Sequence, residues 1–213
     1  MKYKLVIFDL DGTLLDTLDD LSAAVNHAME QRGFPQHTRD EYMKMVGHGA
    51  HNLMSQALPL EYAHDEALID AALADFRTYY NAHIDVFTKP FPGIPELIAE
   101  LHRKGIRLAV ASNKFQEGTE HLIKEFFPDI PFVAILGNRS GFPLKPDPEV
   151  VGVILHKAGL SQADAVMVGD SDTDMETAIN SGIRGIAVGW GYRNMRDRDH
   201  VDTTEELLKI LIP

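Results

Sequence analysis

Short apolar runs closed by polar or turn-forming residues alternate along this chain with longer stretches of helical period. The runs are Leu5 to Phe8, Leu108 to Ala111, Val133 to Leu136, Ala165 to Val168 and Ile186 to Val188. Strands and helices that take turns in this way build a parallel sheet. Between the runs, Leu97, Ile98 and Leu101 recur at helical spacing before Gly105, and Val150, Val151, Ile154 and Leu155 do the same before Gly159. A helix that stops at a glycine and feeds a strand is the crossover that parallel pairing needs. The pattern predicts an α/β fold, a doubly wound (Rossmann-like) parallel-sheet core with helices on its faces.

The alternation fails once. From about Asp16 to Thr88, roughly 70 residues lack a strand-like run but carry Leu18, Leu21, Val25 and Met29, then Leu68, Leu73 and Phe76, at helical periods. This predicts an inserted α-helical domain over residues 16–87, with residues 1–15 and 88–213 forming the α/β core. Thr38-Arg39-Asp40-Glu41 reads as a capping box that opens one inserted helix, and Gly33-Phe34-Pro35 and Gly47-His48-Gly49 break the segment into pieces. Lys89-Pro90-Phe91-Pro92-Gly93 marks the return to the sheet.

The 213 residues suffice for a core domain carrying a smaller insertion. With 45% hydrophobic and 24% charged residues, the chain is neither disordered nor fibrous. Its formal net charge of −12 repels phosphate backbones and acidic headgroups, which argues against nucleic-acid and membrane partners. There is no cysteine, so disulfides, thiolate-held zinc and a Cys nucleophile are excluded. The first apolar run ends at Asp9, shorter than a signal peptide or membrane helix requires, and a cytoplasmic protein is expected.

Asp9-Leu10-Asp11-Gly12-Thr13 follows the first run directly. The second run ends in Ser112-Asn113-Lys114, the loop after the third carries Lys145-Pro146, and the fourth ends in Gly169-Asp170-Ser171 with Asp174 close behind. Each polar group thus falls at or beyond the carboxyl end of a different strand, and an open parallel sheet gathers them at one edge, where ligands sit. Asp9, Asp170 and Asp174 together would resist full ionisation unless a cation lay among them, and an all-oxygen set suits magnesium best. Lys145 adds positive charge where a phosphoryl group would sit, and Ser112 with the amides after it can donate to phosphate oxygens.

Asp9-Leu10-Asp11-Gly12-Thr13, then Ser112, Lys145 and Gly169-Asp170-Ser171-Asp172-Thr173-Asp174 resemble the motifs of the haloacid dehalogenase superfamily, in its order and over nearly the whole chain. The match is to phosphatases with a helical cap inserted after the first strand. Val46-Gly47-His48-Gly49, Ser112-Asn113-Lys114, Lys145-Pro146-Asp147-Pro148 and Trp190-Gly191-Tyr192 resemble phosphoglycolate phosphatases. Ser112 stands where many relatives have Thr, which leaves the hydroxyl in place.

That resemblance implies a magnesium-dependent phosphatase acting on a small phosphorylated metabolite, 2-phosphoglycolate first among them. Asp9 is then the nucleophile that becomes an aspartyl-phosphate, and Asp11 the acid and base. Magnesium is held by the Asp9 and Asp170 carboxylates and the Asp11 backbone carbonyl, while Asp174 orients a metal-bound water or Lys145. Ser112 and Asn113 bind phosphate, and Gly47 and His48 offer substrate contacts from the cap. Gly47-His48-Gly49 also reads as a hinge inside the inserted helices. A pyrophosphatase or phosphosugar mutase on the same core, or a non-enzymatic phospho-receiver, stays open as an alternative. So does the choice between monomer and homodimer.

Overall fold

The computed structural model describes residues 3–212. In chain order its first elements are β1 (Leu5–Phe8), β2 (Leu15–Asp16), α1 (Leu18–Glu30), α2 (Arg39–Met45), α3 (Ala50–Ala57), α4 (Glu66–Ala82) and β3 (Lys89–Pro90). There follow α5 (Ile94–Arg103), β4 (Arg107–Phe115), α6 (Gln116–Phe126), β5 (Phe132–Asn138), α7 (Glu149–Ala158) and β6 (Ala165–Gly169). The chain closes with α8 (Asp172–Asn180), β7 (Arg184–Val188), β8 (His200–Val201) and α9 (Thr204–Leu211).

The large sheet is parallel throughout, in the order β5-β4-β1-β6-β7-β8. After β1 the chain adds β4 and β5 outward on one side, then crosses back to lay β6 against the other side of β1. The strand order reverses there, so the crevice beyond the carboxyl ends of β1 and β6 is open to a ligand. Phe8 is level with both Val110 and Val168, so the residues after them in these three strands emerge at one edge.

Every residue of β1 is buried, with alternate side chains facing opposite ways. Val6 and Phe8 join an apolar cluster with Leu97, Leu101 and Leu207 on one face, while Leu5 and Ile7 pack with Val151, Ile154 and Met167 on the other. Each such side chain stabilises the fold by about 1.5–3 kcal/mol relative to exposure.

Helices α1 to α4 occupy the segment where the alternation fails, and Tyr42, Met54, Ile69, Phe76 and Tyr80 extend the first cluster through it. Helix α2 opens on the capping box expected from Thr38 and Glu41: the Thr38 N–H donates to Glu41 Oε2 at 2.7 Å, and the Glu41 N–H to Thr38 Oγ1 at 3.4 Å. Buried Asp20 of α1 accepts from the Thr88 N–H at 2.8 Å and the Thr88 hydroxyl at 2.7 Å, tying the chain that enters the helices to the chain that leaves them.

Two local features depart from expectation. Lys89 and Pro90 do not rejoin the large sheet but pair antiparallel with Asp16 and Leu15, and the sheet is regained only at β4. Strand β4 runs on through Ser112, Asn113 and Lys114 to Phe115, with a register shift against β5 after Ala111. That irregularity turns the Ser112 to Lys114 backbone toward the sheet edge without ending the strand. Among the described residues, no helix is long and apolar enough to cross a membrane.

Candidate active site

Strand β1 delivers Asp9 with its N–H still on the ladder, donating to the Val168 carbonyl at 2.9 Å. The chain then turns tightly through Gly12, at φ +88°. A Cβ built on Gly12 would sit 2.3 Å from Asp170 Oδ2, so both the backbone conformation and the closeness of Asp170 demand glycine. Strand β6 delivers Asp170, whose Oδ2 accepts the Tyr192 N–H at 2.7 Å and whose Oδ1 lies 3.4 Å from the Thr13 hydroxyl. The first turn of α8 supplies Asp174. Its Oδ2 closes a capping box with the Ser171 N–H and hydroxyl, at 3.1 and 2.6 Å, which turns Oδ1 toward Lys145.

Lys145 Nζ donates to Asp9 Oδ1 at 2.8 Å and Asp174 Oδ1 at 2.6 Å. Burial alone would lower the Lys145 ammonium, but the Asp174 and Asp9 carboxylates outweigh it and hold the group above its ordinary value. The acids show the opposite strain. Burial, then repulsion from Asp174, pushes Asp9 well above the usual carboxylate range, against the pull of Lys145. Burial and Asp174 likewise raise Asp170 to about 7 despite the Tyr192 N–H. Three carboxylates thus share one ammonium in a desolvated place.

Asp9, Asp170 and Asp174 each bring one oxygen within 4.8 Å of the others, the only such group of possible metal ligands among the described residues. The donor set is all oxygen, and when ionised its three carboxylates outnumber the single ammonium of Lys145, so a hard divalent cation fits it. Asp174 is committed to Lys145 and Ser171. Asp9 Oδ2 accepts no hydrogen bond among the described residues, and Asp170 Oδ1 only the long one from Thr13, so these two carboxylates are the freer to ligate.

Asp11 stands beside this group rather than in it. Its Oδ1 accepts the Thr17 hydroxyl at 2.5 Å and Lys114 Nζ at 2.9 Å, and its Oδ2 accepts nothing among the described residues. Ser112 Oγ accepts the Lys114 N–H at 3.1 Å and keeps its own proton to donate. Asn113 is a brace: Oδ1 takes the Lys145 N–H at 2.8 Å, while Nδ2 donates to the carbonyls of Lys145 and Gly47, both at 3.1 Å. Its amide is therefore spoken for, and it acts on Lys145 and on the Gly47 loop.

The core residues and the inserted helices form a half-open cavity of about 70 Å³, lined by Asp9, Asp11, Ser112, Lys145 and Asp170 from the core and by Leu21, Val46, Leu53 and Phe76 from the inserted helices. Gly47 and Gly49 line it; His48 is exposed and does not. His51, three residues on, pairs with Glu66 at 3.0 Å. Sequence reasoning assigned no role to three lining residues, Lys114, Tyr192 and Arg193. The Ser112-Asn113-Lys114 and Trp190-Gly191-Tyr192 motifs were the available signals, the second because it ends at the loop that closes on Asp170.

A family model described as haloacid dehalogenase-like hydrolase matches residues 6–188. The chain belongs to the haloacid dehalogenase-like hydrolases. It is 33% identical to a phosphoglycolate phosphatase of Mesorhizobium japonicum, over 93% of this chain and 88% of that one. It is 35% identical to a phosphoglycolate phosphatase of Agrobacterium fabrum, over 90% and 82%. A crystal structure assigned as a phosphoglycolate phosphatase, from Lactobacillus delbrueckii subsp. bulgaricus, superposes with a TM-score of 0.91 at 34% identity and 99% coverage of both chains. This hydrolase is an enzyme of the phosphoric monoester class, similar to the phosphoglycolate phosphatases.

Proposed function

We propose that this hydrolase cleaves 2-phosphoglycolate to glycolate and orthophosphate through an aspartyl-phosphate on Asp9, with magnesium as cofactor, and that residues 16–87 act as a cap over the site. The observation that carries the reading is the Asp9–Lys145 contact of 2.8 Å at the floor of a cavity roofed by apolar side chains.

In the first step a carboxylate oxygen of Asp9 attacks phosphorus as the bond to the glycolate oxygen breaks. Asp11 gives that oxygen a proton through Oδ2, the oxygen left without a partner among the described residues. Asp11 then takes a proton from water, whose oxygen displaces Asp9 from phosphorus and releases orthophosphate. Lys145 offsets charge on Asp9 and on the phosphoryl oxygens throughout. The Ser112 hydroxyl, oriented by the Lys114 N–H from which it accepts, donates to those oxygens. Magnesium, held by Asp9, Asp170 and the Asp11 backbone carbonyl, would supply further positive charge to the phosphoryl group.

The roof of Leu21, Val46, Leu53 and Phe76 strengthens every charge interaction below it by excluding solvent. The test is phosphate release from small phosphomonoesters and pyrophosphate, with magnesium and with chelator. The reading expects metal-dependent turnover led by 2-phosphoglycolate. A lead for another ester or for pyrophosphate would reject the substrate, and release undiminished by chelator would reject the metal.

A further inference from the structure

The cations that line the cavity differ in what neutralises them. Lys145 has Asp9 and Asp174, and Lys114 has Asp11 at 2.9 Å. Arg193 has no carboxylate within ion-pair distance among the described residues. Its guanidinium instead donates to three backbone carbonyls at the end of α2: Met43, Lys44 at 2.9 Å and Val46 at 2.8 Å. Carbonyls satisfy N–H groups but carry no net charge, and with both Nη2 hydrogens and one Nη1 hydrogen taken, the Nε–H and the second Nη1 hydrogen remain as two separate donors. Among the described residues, the cavity lining therefore contains one cation that no carboxylate contacts as an ion pair.

The placement of Arg193 is built rather than incidental. The preceding residue, Tyr192, donates its N–H to Asp170 at 2.7 Å. A Cβ built on Gly191 would lie 2.2 Å from Asp170 Cβ and 2.4 Å from the Gly12 carbonyl oxygen, so the loop is pressed against the floor of the site. The Arg193 charge reaches far enough to favour the ionised form of Asp170. Arg193 thus lines the cavity where its loop meets the Val46-Gly47 loop of the inserted helices. The phosphoryl group itself has Lys145, Ser112 and the cation site.

We propose that Arg193 is the specificity-determining residue of this enzyme, reading a second anionic group, a carboxylate, on the leaving-group side of the substrate. The inference rests on the substrate reading above. A charged N–H donor suits a carboxylate better than a neutral or hydroxylated tail, and binding one would give the guanidinium the ion pair that it lacks. The bonds to Met43, Lys44 and Val46 then give the same residue a second consequence: substrate anchored at Arg193 is anchored at the cap loop as well.

The experiment compares 2-phosphoglycolate with monoethyl phosphate, which has the same ester but a methyl in place of the carboxylate. The readout is the ratio of their kcat/KM values in the wild type, R193Q and R193K. We expect the wild type to favour 2-phosphoglycolate, and R193Q to shrink that ratio about 10- to 100-fold, chiefly through KM for the anionic ester. R193K, which keeps the charge but not the guanidinium's spread of donors, should give an intermediate ratio. If Arg193 only holds the cap loop, both esters suffer together and the ratio stays at its wild-type value, which overturns the inference and leaves the substrate reading intact. A wild type without preference between the two esters overturns both. If R193Q does not fold, a wild-type ratio in R193K overturns the inference by itself.

Discussion

Lys114 and Thr17 both donate to one oxygen of Asp11, which fixes the carboxyl and leaves the other oxygen for proton transfer. Lys114 is thus a positioning residue. Lys114→Met should lower kcat about 10- to 100-fold with a smaller change in KM, a split that steady-state kinetics will show. Asp9→Asn removes the nucleophile from a site whose shape survives, so turnover should fall at least about 10³-fold in a folded protein. The raised carboxyl of Asp170 makes a thermodynamic prediction as well. Between 3.8 and about 7 the folded chain keeps a proton that the unfolded chain has released, so in chelator the contribution of Asp170 to stability falls as pH rises through that window. A bound cation reverses the penalty. Magnesium should raise the melting temperature more above about pH 7 than below about pH 5, and equal shifts at both would contradict the cation site. The acids and Lys145 were legible in the sequence because each comes after an apolar run. Lys114 was visible only as a motif letter, since its partner Asp11 lies 103 residues away and no local pattern reports such a pair.

At the scale of elements, two short devices connect the inserted helices to the sheet. One is the β2–β3 ribbon, two residues on each side. The other is Asp20 of α1, whose buried carboxylate takes the N–H and hydroxyl of Thr88 and the N–H of Phe87. Asp20→Ala leaves those donors without an acceptor and should cost about 1.5–3 kcal/mol, measurable by urea unfolding. Neither device was predictable from periodicity. A two-residue strand has no period to detect, and an acid inside an apolar helix face reads as noise until its partners, 67 and 68 residues on, are known. The helices themselves were legible, because the apolar spacing of α1, α5 and α7 and the Thr38 box need no tertiary information. Strand β4 outruns its apolar run for a related reason: Ser112, Asn113 and Lys114 are polar residues in a strand, kept there by the site they serve.

For the whole molecule, alternation of runs implied a parallel sheet and so one polar edge, but not the strand order. That order decides the chemistry, since the crossing from β5 back to β6 sets Asp170 and Asp174 beside Asp9. The excess of acid in the composition, 32 against 20 basic residues, is repeated inside the site, where three carboxylates meet one ammonium and fit a divalent cation. The central claim is that these parts transfer a phosphoryl group to Asp9. Its most direct test is an acid quench of the Asp11→Asn variant during turnover of p-nitrophenyl phosphate with magnesium, an ester whose leaving group needs no acid so that only the second step loses Asp11, followed by mass spectrometry of the peptide that holds Asp9. The account predicts a phosphorylated Asp9 in that sample and none in chelator. A variant that turns over the ester while Asp9 stays unmodified, or carries the phosphoryl group on another residue, would contradict it.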